Sequence, residues 1–194
     1  MFLFPILVLA LAALFVWSNY NWFVTAKTRI KASVQEIGNQ LKRQADLIPN
    51  LIESVKGYLK HEKEVFEDLT SARRGVMSAL EKGQAGDLVK ASENLEKAFT
   101  PIRAVFESNP QLQGAQTTGK LMDELRDTAD KVMYSRRTLI DLTADYNAKR
   151  LVFPSNFVAQ MFHFEEEAGL ETPVAGTHLK VTEKETETPQ VKLN

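Results

Sequence analysis

The first 26 residues contain no charged side chain, and the first charge is that of Lys27. From Phe2 to Trp17 nearly every residue is apolar (FLFPILVLALAALFVW), so a helix there is apolar on all faces, which suits lipid better than the core of a small domain. Extended to Tyr20, the run has 19 residues, roughly 28 Å of helix at about 1.5 Å per residue, against a bilayer core of about 30 Å. Trp17, Tyr20 and Trp22, with Asn19 and Asn21, then form the uncharged aromatic band favoured at headgroup depth. Residues 1–26 are accordingly read as a transmembrane anchor with its interfacial band. A cleaved signal peptide is the competing reading, with Ala10-Leu11-Ala12 as its small-residue site, but the basic n-region of such peptides is missing.

Orientation follows from the flanks. Lys27, Arg29 and Lys31 come directly after the anchor, and the positive-inside rule then predicts an N-terminus outside and a cytoplasmic body. Seven basic residues against three acidic ones between Lys27 and Lys60 suit membrane lipid with anionic headgroups, although scattered lysines more commonly mean a solvated helix face.

Over the whole chain, 24 basic residues against 25 acidic ones leave a net charge of −1, which offers no basic field for gripping nucleic acid. The absence of cysteine removes disulfides, thiolate zinc sites, iron–sulfur clusters and cysteine nucleophiles.

Beyond the anchor, apolar residues recur at helical spacing and no segment alternates for long with period two, so an all-α body is predicted over residues 27–164. Leu121, Leu125, Thr128, Val132, Ser135, Leu139, Leu142 and Tyr146 repeat four and three apart without a break, the coiled-coil-like seam of long, nearly parallel helices. Ile30, Val34, Ile37 and Leu41 give a similar seam on a first helix continuing out of the membrane. Pro49 predicts a break or kink at Ile48, with a second helix running from Leu51 to Val76. Gly83 suits a helix C-cap and Asp87 an N-cap. A third helix carries Leu88, Leu95, Phe99, Ile102 and Phe106, kinked or split at Pro101; a fourth opens at Asn109-Pro110 and runs to about Arg150. Phe153-Pro154-Ser155-Asn156 interrupts it before a short helix from Asn156 to Phe164, expected to fold its Phe157, Met161 and Phe164 against the bundle. The expectation is a long antiparallel bundle of about four helices. Residues 165–194, with seven acids against three lysines, are too polar to offset the entropy of ordering and read as a disordered acidic tail without core contacts.

Specific strings add a resemblance. Gln40-Leu-Lys-Arg-Gln-Ala-Asp-Leu-Ile-Pro-Asn-Leu-Ile-Glu-Ser-Val-Lys-Gly-Tyr58, His61-Glu62 and Ala72-Arg73 resemble the LemA family. So do the closing Tyr146-Asn147, Phe153-Pro154-Ser155-Asn156, Ala159 and Phe162-x-Phe164. The resemblance spans roughly Asn19 to Phe164. It departs at Thr128-Ala129, where relatives usually carry Thr-Glu, and at Ser135-Arg136-x-x-Leu139-Ile140, where they carry Ala-Arg-x-x-Tyr-Asn. It implies a single-pass membrane protein with an antiparallel helical body, an extracytoplasmic N-terminus and no established enzymatic activity. The family includes a magnetosome membrane protein, and its members are often encoded near membrane metalloproteases, which by association implies envelope quality control.

No chemical site stands out. His61, His163 and His178 are not at i, i+4 from one another, so no zinc pair forms. His61 with Glu62 and Glu64, and His163 with Glu165, Glu166 and Glu167, are cation candidates by composition, and both read better as solvated surface. No phosphate-cradling glycine motif or nucleophile elbow is present. Asp46, Pro49 and Asn50 are expected to shape a turn, and Arg73 and Arg136 to pair with acids in the bundle. Catalytic, cofactor and metal residues are therefore expected to be none. The expected function is a non-enzymatic scaffold or adaptor in the bacterial inner membrane, contacting a protein partner or a second copy of itself. The alternatives are an accessory subunit of a membrane protease or envelope-stress complex, and a magnetosome-type membrane biogenesis protein.

Overall fold

The computed structural model describes residues 3–58 and 63–170. Among them all regular structure is helical: α1 (Leu3–Val55), α2 (Lys63–Lys82), α3 (Ala85–Ser108), α4 (Pro110–Gly114), α5 (Gln116–Leu151) and α6 (Ser155–Met161). The expected four long helices are α1, α2, α3 and α5, with two short ones added.

The seam of α5 and the seam of α1 make the principal pairing. Leu125, Thr128, Val132, Ser135, Leu139 and Tyr146 are buried, as are Ile30, Ile37 and Leu41. Thr143 rather than Leu142 takes the next buried turn of α5. The ring of Phe23 meets that of Tyr146, and the Gln44 side chain reaches the Leu125 carbonyl, so the two helices run antiparallel in constant register. Each fully buried Leu or Ile in this interface contributes about 1.5–3 kcal/mol. The α2–α3 hairpin packs against the half of α1 distal to the N-terminus, where Gly38 lies close to Leu80 and Leu88. The nearer half is covered by α5, α6 and the segment following it.

Helix α1 behaves as two environments in one rod. Leu3 is 82% exposed and Leu9 70%, while from Asn19 onward one face is buried against the bundle. The N-terminal part is long and apolar enough to cross a membrane, and only 6% of its most apolar window is buried. Among the described residues this segment is therefore not packed into the core.

Several expected boundaries move. The break expected at Ile48-Pro49 is absent: α1 runs through Pro49 to Val55. Proline deprives the Ala45 carbonyl of its helical donor, but Arg73 Nε of α2 donates to that carbonyl at 3.0 Å, and fully buried Ile48, Leu51 and Val55 hold the turn on the core. Asp46 pairs with Lys42 instead of shaping a turn, and the Asn50 carbonyl accepts from Ser54. The chain turns at Lys56-Gly57-Tyr58 instead. Gly83 ends α2 at φ +66° as its residue type suggests. Asp87 is not the N-cap of α3; the helix starts earlier, after Gln84, and Asp87 in its first turn pairs with Lys82 at 3.6 Å. Pro101 is contained within α3, and Ala115 separates α4 from α5.

Candidate functional site

The part of the body nearest the exposed apolar segment is the most elaborately built. Helical spacing on α1 turns Asn19, Phe23 and Ala26 inward, and the Asn19 amide satisfies itself on the Phe15 carbonyl at 2.9 Å. Opposite stand Tyr146 and Lys149 of α5, and Lys149 Nζ lies 4.4 Å from the centre of the Trp22 ring, a cation–π contact.

Helix α5 stops at Leu151, and Ser155 closes it, its hydroxyl facing the Lys149 and Val152 carbonyls at 2.7 and 2.8 Å. Helix α6 then seats Val158 and Ala159 on the core in place of the expected Phe157 and Met161, which are exposed. It ends in a paired cap: Phe164 N–H donates to the Ala159 carbonyl and His163 N–H to that of Gln160, with His163 in the left-handed region at φ 52°. That is a Schellman arrangement with histidine where glycine is usual. Its effect is to send Phe164 back to α1, stacked on Phe23 at 4.8 Å and 5.7 Å from Tyr20, with Phe162 edge-on to Tyr20 at 4.8 Å.

The segment after Phe164 was expected to be free tail, yet through Leu170 it is pinned to the body. The Tyr146 hydroxyl donates to the Glu165 carbonyl at 3.0 Å. Asn147 grips Glu167 at two points, its amide donating to the carbonyl at 2.8 Å and its oxygen accepting the N–H at 3.1 Å. Arg150 pairs with Glu166, and Lys27 with Glu167, both at 2.9 Å. The body therefore extends past Phe164, because one asparagine imitates a peptide unit toward the returning segment. The rest of the expected tail, residues 171–194, lies outside the described residues.

Two titrations are displaced here. The hydrogen bond to the Glu167 carboxylate raises Lys27 above its ordinary value, with burial pulling more weakly the other way. Burial raises the Tyr146 phenol, partly opposed by the Lys27 charge.

The histidines divide. His61 with Glu62 and His178 lie outside the described residues. His163 does not gather its three glutamates: Glu166 and Glu167 turn to Arg150 and Lys27. Among the described residues no three acidic or histidine side chains are grouped to hold a metal. Arg136 pairs with Glu93 at 3.0 Å, as its position suggests, whereas Arg73 takes a backbone carbonyl and not an acid. A groove of about 520 Å³ between α3 and α5 is lined by Phe99, Arg103, Met122, Asp130, Met133 and Arg136 among others, a mixed apolar and ionic wall. Sequence reasoning missed the Lys27, Asn147 and Arg150 contacts with the 165–167 segment; the adjacency of Tyr146 and Asn147 in the closing motif was the available signal.

The family model for the LemA family matches residues 33–192. The chain belongs to the LemA family. The LemA match leaves residues 19–32 outside it and runs on through most of the acidic segment, so its limits differ from the Asn19 to Phe164 resemblance. This LemA chain is also similar to the magnetosome protein MamQ of Magnetospirillum gryphiswaldense, 22% identical over 188 residues, covering 80% of this chain and 68% of MamQ.

Proposed function

We propose that this LemA protein is a non-enzymatic scaffold or adaptor, tethered to the bacterial inner membrane by α1 and presenting its helical body to a protein partner or to a second copy. The observation that carries the reading is the continuity of α1, exposed and apolar from Leu3 and buried in the bundle from Asn19 without a break. A partner bound to the bundle is then held at a rigid offset from the bilayer, and tethering raises the local concentration of weakly interacting surfaces. Lys27, Arg29 and Lys31 support a cytoplasmic body.

The test is complementation in cells. A full-length chain with His163→Ala should function as wild type, and a chain lacking Met1 to Trp17 should not. Full function of the untethered chain, together with loss of function on a single His or Glu substitution that leaves folding intact, overturns the scaffold reading in favour of an enzyme. A reporter fused after Asn194 that is active only outside the cytoplasm reverses the orientation. The similarity to MamQ favours membrane biogenesis of the magnetosome type as a second reading, which requires that loss of the protein change the number or shape of internal membranes.

A further inference from the structure

Six large apolar side chains crowd one end of the body within twelve residues: Leu151, Val152, Phe153, Phe157, Met161 and Phe162 are all exposed. Phe153 is 73% exposed, Phe157 59% and Met161 64%. Phe157 and Met161 stand one turn apart on the outer face of α6, opposite buried Val158 and Ala159, and Phe157 meets Phe153 edge-on at 5.8 Å. Exposed large apolar residues elsewhere on the body are scattered along the helices.

The position of this patch is set by the register of α1 against α5. With Phe23 beside Tyr146 and Trp22 beside Lys149, the end of α5 at Leu151 comes level with the Trp17 to Tyr20 band. Phe162 lies in one shallow groove with Leu9, Ala12, Ala13, Val16, Trp17 and Tyr20, the exposed apolar wall of the anchor itself. A bilayer that receives α1 as far as Tyr20 therefore also receives Phe162, and the patch continues the lipid-facing surface sideways.

We propose that Leu151 to Phe153 and the outer face of α6 form a second, monotopic membrane contact, dipping into the headgroup–acyl boundary of the leaflet from which α1 emerges. The occupant is the phospholipid surface. It is favoured over a protein because the patch is continuous with the anchor and stands at headgroup level. Part of the backbone polarity at this end is already satisfied: the Lys149 carbonyl is met by the Ser155 hydroxyl, and the Val152 carbonyl by Ser155 and by Asn156 N–H. Two attachments, one spanning and one lying in the interface, hold the bundle at a fixed tilt where a single helix would let it swivel.

The inference rests on the tethering reading, and the test separates the two. The chain has no cysteine, so Leu9→Cys, Val152→Cys, Phe157→Cys and Met77→Cys each give one labelling site in the full-length protein. Each is labelled with an environment-sensitive fluorophore and reconstituted in phosphatidylethanolamine/phosphatidylglycerol vesicles carrying nitroxide lipids of shallow or deep position. Labels at positions 152 and 157 should be quenched by the shallow lipid several-fold more than the label at 77, and shielded from aqueous iodide, while the label at 9 responds to the deep lipid. Iodide access at 152 and 157 equal to that at 77, with position 9 still deep, overturns the second contact and leaves tethering standing. A label at 9 that no lipid quenches takes down the tethering reading as well. A disulfide between two copies of Phe157→Cys in the vesicles, without lipid quenching, overturns the proposal by assigning the patch to a second copy of the chain.

Discussion

Arg73 on α2 supplies the hydrogen bond that Pro49 denies to its own helix. Its Nε lies 3.0 Å from the Ala45 carbonyl, 28 residues away in sequence, which is the acceptor a residue at position 49 would ordinarily serve. The two residues sit in separate parts of the LemA-like sequence, one in the Ile48-Pro49-Asn50 string and one in Ala72-Arg73. Their connection lets α1 pass through a proline and locks α2 to it.

This relationship predicts energetic coupling. Arg73→Leu should destabilise the protein by about 1–3 kcal/mol, because a part-buried carbonyl loses its donor. In a Pro49→Ala background, where the alanine N–H can serve Ala45, the same substitution should cost clearly less. A double-mutant cycle by denaturant unfolding of the full-length chain in detergent reads the coupling; equal costs in both backgrounds would show that Arg73 acts independently of Pro49.

The clamp of Asn147 on Glu167 predicts where the chain can be shortened. Ending it after Leu170 keeps the Tyr146, Asn147, Arg150 and Lys27 contacts, whereas ending it after Phe164 removes all of them. The shorter truncation should melt lower than the longer one. Asn147→Asp, which retains the acceptor and loses the donor, should cost about 1–3 kcal/mol. Identical melting of the two truncations would contradict the clamp.

Alkaline stability should depend on Tyr146 and Lys27. Both have folded values raised above the ordinary 10.0 and 10.5, so their contribution is complete below those values and is lost as pH rises through the folded ones. Of the four tyrosines, Tyr146 should lack its phenolate absorbance at pH values where an ordinary tyrosine has ionised. Tyr146→Phe should remove that late step and make unfolding less steeply dependent on pH above about 10. A titration curve unchanged by the substitution would refute the assignment.

His163 offers a stabilising substitution. It holds φ 52° at the position of the α6 cap where glycine pays no steric penalty. His163→Gly should raise stability by up to about 1 kcal/mol, and His163→Val, β-branched, should lower it. Lower stability of the glycine variant would mean that the imidazole makes a contact outweighing the backbone strain.

What the sequence determined by itself is whatever repeats locally or is written in composition. The uncharged run to Tyr20 forms an exposed apolar helix, and the alternating four–three spacing through Leu125, Val132 and Leu139 and the glycine stop at Gly83 came out as read, because each depends on side chains within a few turns. Tertiary structure decided whether Pro49 breaks a helix, since the outcome turns on a guanidinium arriving from another helix. It also decided where the body ends. Glu165 to Glu167 read as solvated acids in a polar stretch, and no local pattern shows that Asn147, Arg150 and Lys27 converge on them. The exposed apolar patch at Phe153, Phe157 and Met161 belongs to the same class: periodicity marks such residues as apolar, and only the packing of α6 on α1 and α5 establishes which face is covered and which is left exposed.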